Sequence, residues 1–280
     1  MRIVEAEKIT SLVEKLCIEA CCVITDDIYS CFKNCIKTEK SALGREILGT
    51  LVENADIARN EQSPICQDTG MTVVFVTMGQ DVHIEGGFIE DAINEGVRRG
   101  YTKGYLRKSV VRDPIYRVNT QDNTPAVVHY EIVPGSEFHI TVAPKGFGSE
   151  NKSGLKMLTP SQGIEGIKKF VIDTVSQAGP NPCPPIIVGI GIGGTMERAA
   201  YMSKKALLRP VGTENADETL RGLESELLTA INNLGIGPAG FGGTTTALSV
   251  NIITGATHIA GLPVAVNIGC HATRHAEGSL

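Results

Sequence analysis

The sequence predicts a mixed α/β (α+β) fold, with a helical N-terminal lobe followed by a mixed-sheet lobe that contains Gly-rich strand–helix turns. Two observations support this prediction. Apolar residues up to about residue 60 recur every three or four positions, the period of an amphipathic helix. After residue 61, Val- and Ile-rich runs alternate with further helical segments, as in a sheet covered by helices. We expect one domain over residues 1–280, with the helical lobe at 1–60 and the mixed α/β lobe at 61–280.

The N-terminal lobe is predicted to be helical from about Ile9 to Asn60. In its first part Leu12, Leu16 and Ala20 share one helix face, because they are spaced four residues apart. A second periodic run, ILGTLVENADIA at 47–58, continues the pattern with a single internal glycine. The same period in both runs indicates helices.

The mixed lobe begins with a predicted buried strand, MTVVFVTMG at 71–79, which a helix over 89–104 follows. AVVHYEIV at 126–133 and FHITVAP at 138–144 are also predicted strands. A Pro-Gly pair separates these two strands, so we expect them to form a hairpin.

The remaining elements continue the alternation of helices and strands. Ser161 is the predicted N-cap of a helix over 161–178. PPIIVGIG at 184–191 is a predicted strand that enters a Gly-rich turn, and MERAAYMSKKALL is the helix after it. A helix over 216–232, a glycine loop and the strand ALSVNIITG follow.

Two glycine clusters could bind an anion. Gly189, Gly191 and Gly194 fit G-x-G-x-x-G between a strand and a helix, but the acidic residue that dinucleotide sites need is not evident. Exposed amides at a helix N-terminus could instead bind a carboxylate or another anion. The second cluster, GIGPAGFGGTTT, offers amides and hydroxyls, or is simply a tight turn between a helix and a strand; both interpretations stay open.

Composition and charge exclude several classes of function. The chain of 280 residues is 42% hydrophobic and 20% charged, with a net charge of −5 and no basic stripe, so we expect no nucleic-acid partner. The N-terminus MRIVEAEKIT lacks the apolar core of a signal peptide, and the apolar runs are too short and Gly-rich to span a membrane. We expect a cytoplasmic protein with reduced thiols.

The eight cysteines fall into two groups. Five lie in the helical N-terminal region, where two pairs are four residues apart; they could bind a metal, but small core thiols are the commoner case. These are Cys17, Cys21, Cys22, Cys31 and Cys35. The other three, Cys66, Cys183 and Cys270, lie in loops beside Pro or Gly, where sites are usually built. No C-x-x-C pair is present, so a zinc ribbon is not expected.

Few titratable residues accompany these loops. Asp68 follows Cys66 by two residues, and the segment LRKSVVRDP, which contains Arg107, could hold a carboxylate or be an ordinary solvated charged segment. His258 lies among apolar residues in GATHIAG, where a histidine is more often a core residue than a catalyst. The residues alone leave these alternatives open.

Several long motifs in the same order resemble the α subunit, or N-terminal half, of class I fumarate hydratases and the related L(+)-tartrate dehydratases. The resemblance covers about four fifths of the chain and is carried by LVENADIARNEQSPICQDTG, LRKSVVRDP, RVNTQDNTPAVVHYEIV, APKGFGSENKS, NPCPPIIVGIGIGGTMERAA, GIGPAGFGGTTTAL and THIAGLPVAVNIGCHATRH. It implies a hydro-lyase that hydrates fumarate reversibly to (S)-malate, a tricarboxylic acid cycle reaction. The alternative is an α subunit that dehydrates L(+)-tartrate to oxaloacetate.

The resemblance also implies a cofactor. In that family three cysteines hold a [4Fe–4S] cluster and leave one iron without a protein ligand, and Cys66, Cys183 and Cys270 stand in the matching motifs. Thiolates suit such clusters, and the open iron can act as a Lewis acid on the hydroxyl that leaves or enters. The five N-terminal cysteines fall outside the motifs, which favours their interpretation as core residues.

The resemblance further assigns roles around the cluster. Gln67 and Asp68 would contact the dicarboxylate substrate, and Asp68 with His258 would form the general acid/base pair. Arg107 would hold a substrate carboxylate, and the amides around Gly146 and Gly148 would seat its other end. The family's second half supplies further catalytic groups. We therefore expect an isolated chain to be inactive and to pair with a separate β subunit, in an α2β2 assembly.

Two other classes of function remain as alternatives. A nucleotide-binding protein would use the G-x-G-x-x-G turn, and would bind NAD or ATP without iron. A purely structural subunit would keep its thiols buried and without a metal. Iron and sulfide that copurify with the anaerobically isolated chain would favour the hydro-lyase over both.

Overall fold

The computed structural model describes residues 1–280, and these form two compact units. Unit 1 contains Met1–Thr25, Asn54–Phe147 and Arg274–Leu280, and unit 2 contains Asp26–Glu53 and Gly148–Thr273. Each unit therefore combines segments that are far apart in the sequence, and each has its own hydrophobic core. The predicted mixed fold of helices and mixed sheets is confirmed.

The secondary structure alternates along most of the chain. The strands are β1 (Arg2–Glu5), β2 (Met71–Gly79), β3 (Val82–Glu85), β4 (Val127–Val133), β5 (Phe138–Lys145), β6 (Gly154–Leu158), β7 (Ile186–Gly193), β8 (Ala247–Gly255), β9 (Leu262–Gly269) and β10 (Ala276–Ser279). The helices are α1 (Ala6–Cys22), α2 (Asp26–Thr38), α3 (Ala42–Glu61), α4 (Ile89–Lys103), α5 (Phe147–Glu150), α6 (Gly163–Ala178), α7 (Met196–Ala206) and α8 (Glu218–Asn232). No helix is both long enough and apolar enough to cross a bilayer.

Unit 1 is built on a four-stranded mixed sheet with the order β10-β5-β2-β4, and a separate parallel pair joins β1 to β3. Helices α1 and α4 pack against each other, and α1 also packs against β5. The core combines apolar residues of α1, α4, β2 and β5, including Ile9, Val13, Val74, Ile93 and Ile140. The helical period predicted near the N-terminus therefore marks the face of α1 that covers this sheet.

The predicted hairpin between the strands at 126–133 and 138–144 is wrong. Strands β4 and β5 do not pair with each other, because β2 lies between them, parallel to β4 and antiparallel to β5. Five consecutive residues of β2, from Thr72 to Val76, are buried, as a central strand requires. Strand β4 alternates between half-buried and exposed residues, which suits the edge of the sheet.

Unit 2 contains a second four-stranded mixed sheet, with the order β6-β9-β7-β8. Strand β7 is parallel to β8 and antiparallel to β9, and every one of its residues is buried. Helix α7 packs on β7 and β9, whereas α6 and α8 contribute to a core with Val188 and Ile190. Because side chains alternate along a strand, residues 189 and 191 of β7 point toward α7.

The G-x-G-x-x-G match has a packing role in this fold. Gly189 and Gly191 lie inside β7, not in the turn that follows it. A Cβ atom at either position would lie 2.1 Å from a backbone oxygen of α7, on Ser203 or Ala199 respectively. Glycine therefore allows the helix backbone to approach the strand closely.

The predicted N-cap at Ser161 is also wrong. Thr159 begins a short 3₁₀ turn over Pro160–Gln162, and its backbone and hydroxyl form a capping box with Gln162. Helix α6 starts only at Gly163, whose φ of 50° separates it from the turn. Ser161 therefore lies inside the 3₁₀ turn, and the N-cap position of α6 is Gln162.

Candidate active site

The segment between α3 and β2 carries three of the predicted site residues. Cys66 and Asp68 are half-buried and Gln67 is exposed. The fully buried Tyr101 of α4 donates its hydroxyl to the carbonyl oxygens of Thr69 at 2.8 Å and of Gly70 at 3.1 Å. The Tyr101 hydroxyl thus fixes the backbone at residues 69 and 70, and it does not engage the side chains of Cys66, Gln67 and Asp68.

The carboxylate of Asp68 is held in one orientation. Its Oδ1 accepts a hydrogen bond from the Gly70 amide at 3.0 Å, and its Oδ2 accepts one from the Phe147 amide at 2.9 Å. A Cβ atom on Gly146 would lie 3.2 Å from Oδ2, so the backbone at Gly146 is beside the carboxylate. The structure thus places the Asp68 carboxylate beside the backbone of Gly146.

Arg107 joins the same group through its backbone. The hydroxyl of Thr69 donates to the Arg107 carbonyl oxygen at 2.9 Å, which ties the LRKSVV segment to the segment with Cys66 and Asp68. The Arg107 side chain is exposed, as a residue that binds a solute carboxylate has to be. Cys66, Gln67, Asp68, Arg107 and Gly146 all belong to unit 1.

Sequence reasoning missed Arg274, a 4%-exposed arginine of unit 1. Its guanidinium donates to the carbonyl oxygen of Asp68, and so supports the loop from inside. Burial raises the pKa of the nearby Cys21 to about 12, and the charge of Arg274 opposes that rise. A charged residue four positions after Cys270 was visible in the motif NIGCHATRH, but nothing local showed that it is buried.

In unit 2 the structure brings the segments of Cys183 and Cys270 together. Cys183 precedes β7 and Cys270 follows β9, and these strands pair antiparallel, with Ile187 opposite Gly269. The His271 amide donates to the Cys183 carbonyl oxygen at 3.1 Å, and the ring Nδ1 of His271 lies 3.1 Å from the same oxygen. The Cys183 side chain is exposed and that of Cys270 is half-buried.

Of the other two predicted residues of unit 2, Gly148 lies at the Cys183 turn and His258 lies elsewhere. Gly148 follows Phe147 in α5, and a Cβ atom there would lie 3.8 Å from the carbonyl oxygen of Asn181. His258 is exposed in the turn between β8 and β9, where its Nδ1 accepts from the Ala260 amide at 3.2 Å. Strand β9 separates His258 from Cys270 by about 25 Å, given roughly 3.3 Å per residue.

The predicted site residues are therefore divided between the two units. Asp68, Gly146 and the Arg107 backbone lie together in unit 1, and the segments of Cys183 and Cys270 lie together in unit 2. None of the eight cysteines forms a disulfide. Within neither unit do three or more His, Cys, Asp or Glu side chains form a group that could hold a metal ion. The assignment of Cys66, Cys183 and Cys270 as one ligand set stays a prediction.

The N-terminal cysteines behave mainly as core residues. Cys17, Cys21 and Cys22 are fully buried in α1, and burial raises the pKa of each thiol, which confirms the core interpretation for these three. Cys31 and Cys35 are half-buried one turn apart on α2, with their sulfur atoms 4.0 Å apart. Those two thiols therefore contact each other at the edge of the core.

The glycine loop GIGPAGFGGTTT binds a carboxylate of its own chain. The amides of Thr244 and Thr245 donate to the side chain of Glu39, with distances between 2.7 and 3.0 Å. Burial alone would raise the pKa of Glu39, but these amides and that of Ser41 lower it to about 2. The loop is therefore a tight turn, and its amides at Thr244 and Thr245 already donate to Glu39. The sequence alone did not identify Glu39 as their partner.

Comparison with known proteins agrees with this arrangement of motifs. Residues 10–279 match the family model described as Fumarate hydratase (Fumerase). A protein of Methanocaldococcus jannaschii, provisionally named L(+)-tartrate dehydratase subunit alpha, is 43% identical over 96% of both chains. The L(+)-tartrate dehydratase subunit alpha of Escherichia coli K12 is 34% identical over 98% of this chain and 90% of its own. The chain therefore belongs to the class I fumarate hydratase family of hydro-lyases.

Proposed function

We propose that this chain is the α-type subunit of an enzyme that adds water to, or removes it from, a four-carbon dicarboxylate, with fumarate and (S)-malate as the first candidate pair. The observation that carries the proposal is the arrangement around Asp68. A carboxylate with a fixed orientation lies beside the Gly146 backbone, and the Arg107 segment is tied to the same loop. An oriented acid/base group on a loop that is tied to the backbone of a cationic residue suits proton transfer on a bound dicarboxylate.

The thiols fit an iron–sulfur cofactor by their chemistry and their accessibility. Cys66, Cys183 and Cys270 lie in loops and are exposed or half-buried, whereas the α1 cysteines are sealed in the core. We propose that these three residues hold a [4Fe–4S] cluster, because thiolates are its usual protein ligands. When bound, the cluster supplies an iron with an open position that acts as a Lewis acid on the substrate oxygen.

The side chains of the chain itself would bind and orient the substrate. Arg107 offers a planar fork of donors that matches one carboxylate, and Gln67 offers a second exposed polar side chain. The backbone amides of Gly146 and Gly148 would seat the second carboxylate, since the Phe147 amide between them donates to Asp68. Asp68 would accept or return the proton of the hydroxyl, since each of its oxygens keeps a lone pair beyond its amide bond. The family resemblance gives His258 the role of second acid/base group, but its place at the far end of β9 from Cys270 does not support that role.

We propose that activity requires a separate β subunit, in an α2β2 assembly. The support is that the curated relatives are named as alpha subunits and match this chain over nearly its whole length. An isolated chain should then hold the cluster but lack turnover. Mixing purified chain with the β subunit of its own organism, and assaying fumarate hydration at 240 nm or thereabouts, where the fumarate double bond absorbs, tests this; full activity of the chain alone would refute it.

L(+)-tartrate is the second candidate substrate, and a specific observation favours it. Both relatives described above carry the name of that dehydratase, whereas the family model carries the name of fumarate hydratase. Malate and tartrate differ by one hydroxyl, so the same carboxylate contacts would serve either. Initial rates of the αβ complex on fumarate, malate and L(+)-tartrate decide between them, and a preference of roughly tenfold corresponds to about 1.4 kcal/mol of transition-state binding.

The cysteine assignment is tested by substitution. Cys66→Ser, Cys183→Ser and Cys270→Ser should each reduce the iron and sulfide that copurify anaerobically, with loss of the brown colour and of turnover. Cys17→Ala is the matched control, because that thiol is fully buried in the core of unit 1 and should affect stability alone. A Cys270→Ser variant with a full cluster and normal turnover would show that the assignment is wrong.

A further inference from the structure

Glu39, just after the end of α2, is a buried carboxylate of unit 2 that the proposed chemistry does not use. It is 3% exposed, and its oxygens accept hydrogen bonds from the backbone amides of Ser41 at 2.9 Å, Thr244 at 2.9 and 3.0 Å, and Thr245 at 2.7 Å. Two of these three donors lie more than 200 residues away in the sequence. Glu39 therefore joins the end of α2 to the glycine loop before β8.

The glycine loop is shaped around this carboxylate. Gly243 has a φ of +137°, and a Cβ atom there would lie 2.7 Å from Oε1 of Glu39. A Cβ atom on Gly237 would lie 2.1 Å from the carbonyl carbon of Gly242, so the loop is also closely folded on itself. Such contacts leave the loop little freedom while the carboxylate is in place.

The other side of the loop contacts the turn that carries Cys183. The amide of Ala239 donates to the carbonyl oxygen of Pro184 at 2.8 Å. A Cβ atom on Gly240 would lie 2.2 Å from Cβ of Pro180, which places the loop directly against the start of the same turn. The Cys183 amide itself donates to Pro180 at 3.0 Å. Both ends of the turn are thus in contact with the loop.

The turn also needs support from outside itself. Cys183 has a φ of +55°, a left-handed conformation that costs energy for a residue with a side chain and persists only where neighbours impose it. Its carbonyl oxygen receives the His271 amide at 3.1 Å, which links the turn to the segment of Cys270. The same contacts that restrain Cys183 therefore also set its place beside Cys270.

We infer that Glu39 is a positioning residue: its carboxylate fixes the glycine loop, and the loop fixes the turn that presents Cys183 beside Cys270. The importance of this for a metal cluster rests on the proposed function. The positioning itself does not, because every contact in the series joins residues of the chain alone. The two ideas can therefore fail separately.

The test uses the full chain, reduced and without metal, and follows amide hydrogen exchange. Glu39→Ala should speed exchange at the amides of Ala239, Cys183 and His271 by about 5- to 30-fold, the change expected when one or two such interactions are lost. Sodium acetate should restore slow exchange in this variant, because acetate carries the same carboxylate and can occupy the vacated space. Sodium chloride at equal ionic strength should not restore it.

Two further variants complete the design. Glu39→Gln keeps the volume and one acceptor oxygen, so it should give a smaller increase at the same amides, and it replaces the alanine variant should that one not fold. Glu46→Ala changes an exposed carboxylate on α3 and should leave exchange at Cys183 and His271 as in the unchanged chain.

Unchanged exchange at Cys183 and His271 in both Glu39 variants would overturn the inference. An increase spread evenly over β7 and β9 that acetate does not reverse would overturn it too, since that pattern indicates general destabilisation. The proposed function is judged by a separate readout, the iron and sulfide retained by Cys183→Ser. A cluster that survives Cys183→Ser would remove the proposed role of Cys183 but leave the exchange result standing.

Discussion

Replacing Gly191 by alanine should destabilise unit 2 strongly, because the new methyl group has no room. Its Cβ would lie 2.1 Å from the carbonyl oxygen of Ala199 and 2.7 Å from the amide nitrogen of Ser203, both backbone atoms of α7. An ordinary contact needs at least 3.4 Å, so the whole helix backbone would have to shift by more than an ångström. A flexible side chain could move aside; a helix packed on two strands cannot do so without losing contacts.

The magnitude follows from the cost of overpacking. Extra methyl groups in a well-packed core usually cost about 1–3 kcal/mol, and a contact with backbone belongs at or above the upper end. We therefore expect Gly191→Ala to lower the free energy of unfolding by about 3 kcal/mol. Gly222→Ala is the matched control: Gly222 is exposed on α8 with nothing within 4 Å of a Cβ atom, so alanine there should stabilise by roughly 0.5–1 kcal/mol.

Urea denaturation followed by far-ultraviolet circular dichroism measures both variants, since the chain has no tryptophan for fluorescence. The two alanine substitutions should shift the midpoint in opposite directions. A Gly191→Ala variant within about 1 kcal/mol of the unchanged chain would refute the packing explanation. A Gly191→Ala variant of normal stability that has lost affinity for NAD or ATP would also refute the packing explanation, because Gly191 would then belong to a nucleotide site.

Two other predictions concern residues that support the candidate site. Glu39 titrates near pH 2 in the folded chain against an ordinary value of 4.5, so its ionised form contributes about 3 kcal/mol above pH 4.5, and that contribution is lost as pH falls toward 2. The stability difference between the unchanged chain and Glu39→Gln should therefore shrink from pH 7 to pH 3; a constant difference would contradict this. Tyr101→Phe should cost about 1–3 kcal/mol and speed amide exchange near Thr69, because two buried carbonyl oxygens lose a donor. Tyr105→Phe, at a 92%-exposed position, should change neither measurement.

The fold was predictable wherever one local period describes the environment of an element. The Val-rich run of β2 and the apolar face of α1 each reflect burial that repeats along the element itself. The order of the strands was not predictable in this way. A Pro-Gly pair between β4 and β5 favours a hairpin locally, but β2 pairs with both of these strands. Pairing is decided by burial over the whole sheet, which no local window contains.

The sequence allowed the motifs of the candidate site to be recognised, but not the buried residues that hold those motifs in place. Cys183 and Cys270 were identified from their loops, and the structure brings their segments together. Arg274 and Glu39 were not identified, because each acts on residues about 205 positions away, on Asp68 and on the glycine loop. Arginine and glutamate side chains are usually exposed and solvated, and only the tertiary structure shows that these two are buried.

The edge strand β10 has a consequence for synthesis of the chain on the ribosome. It pairs with β5 in unit 1 and consists of residues 276–279, while Arg274 just before it supports the loop at Asp68. Most segments of unit 1 emerge early, yet its sheet lacks this edge until residues 276–279 have been synthesised, and emerging domains otherwise tend to fold from the N-terminal side. Until then the open side of β5 presents unpaired backbone groups with which other strands can pair.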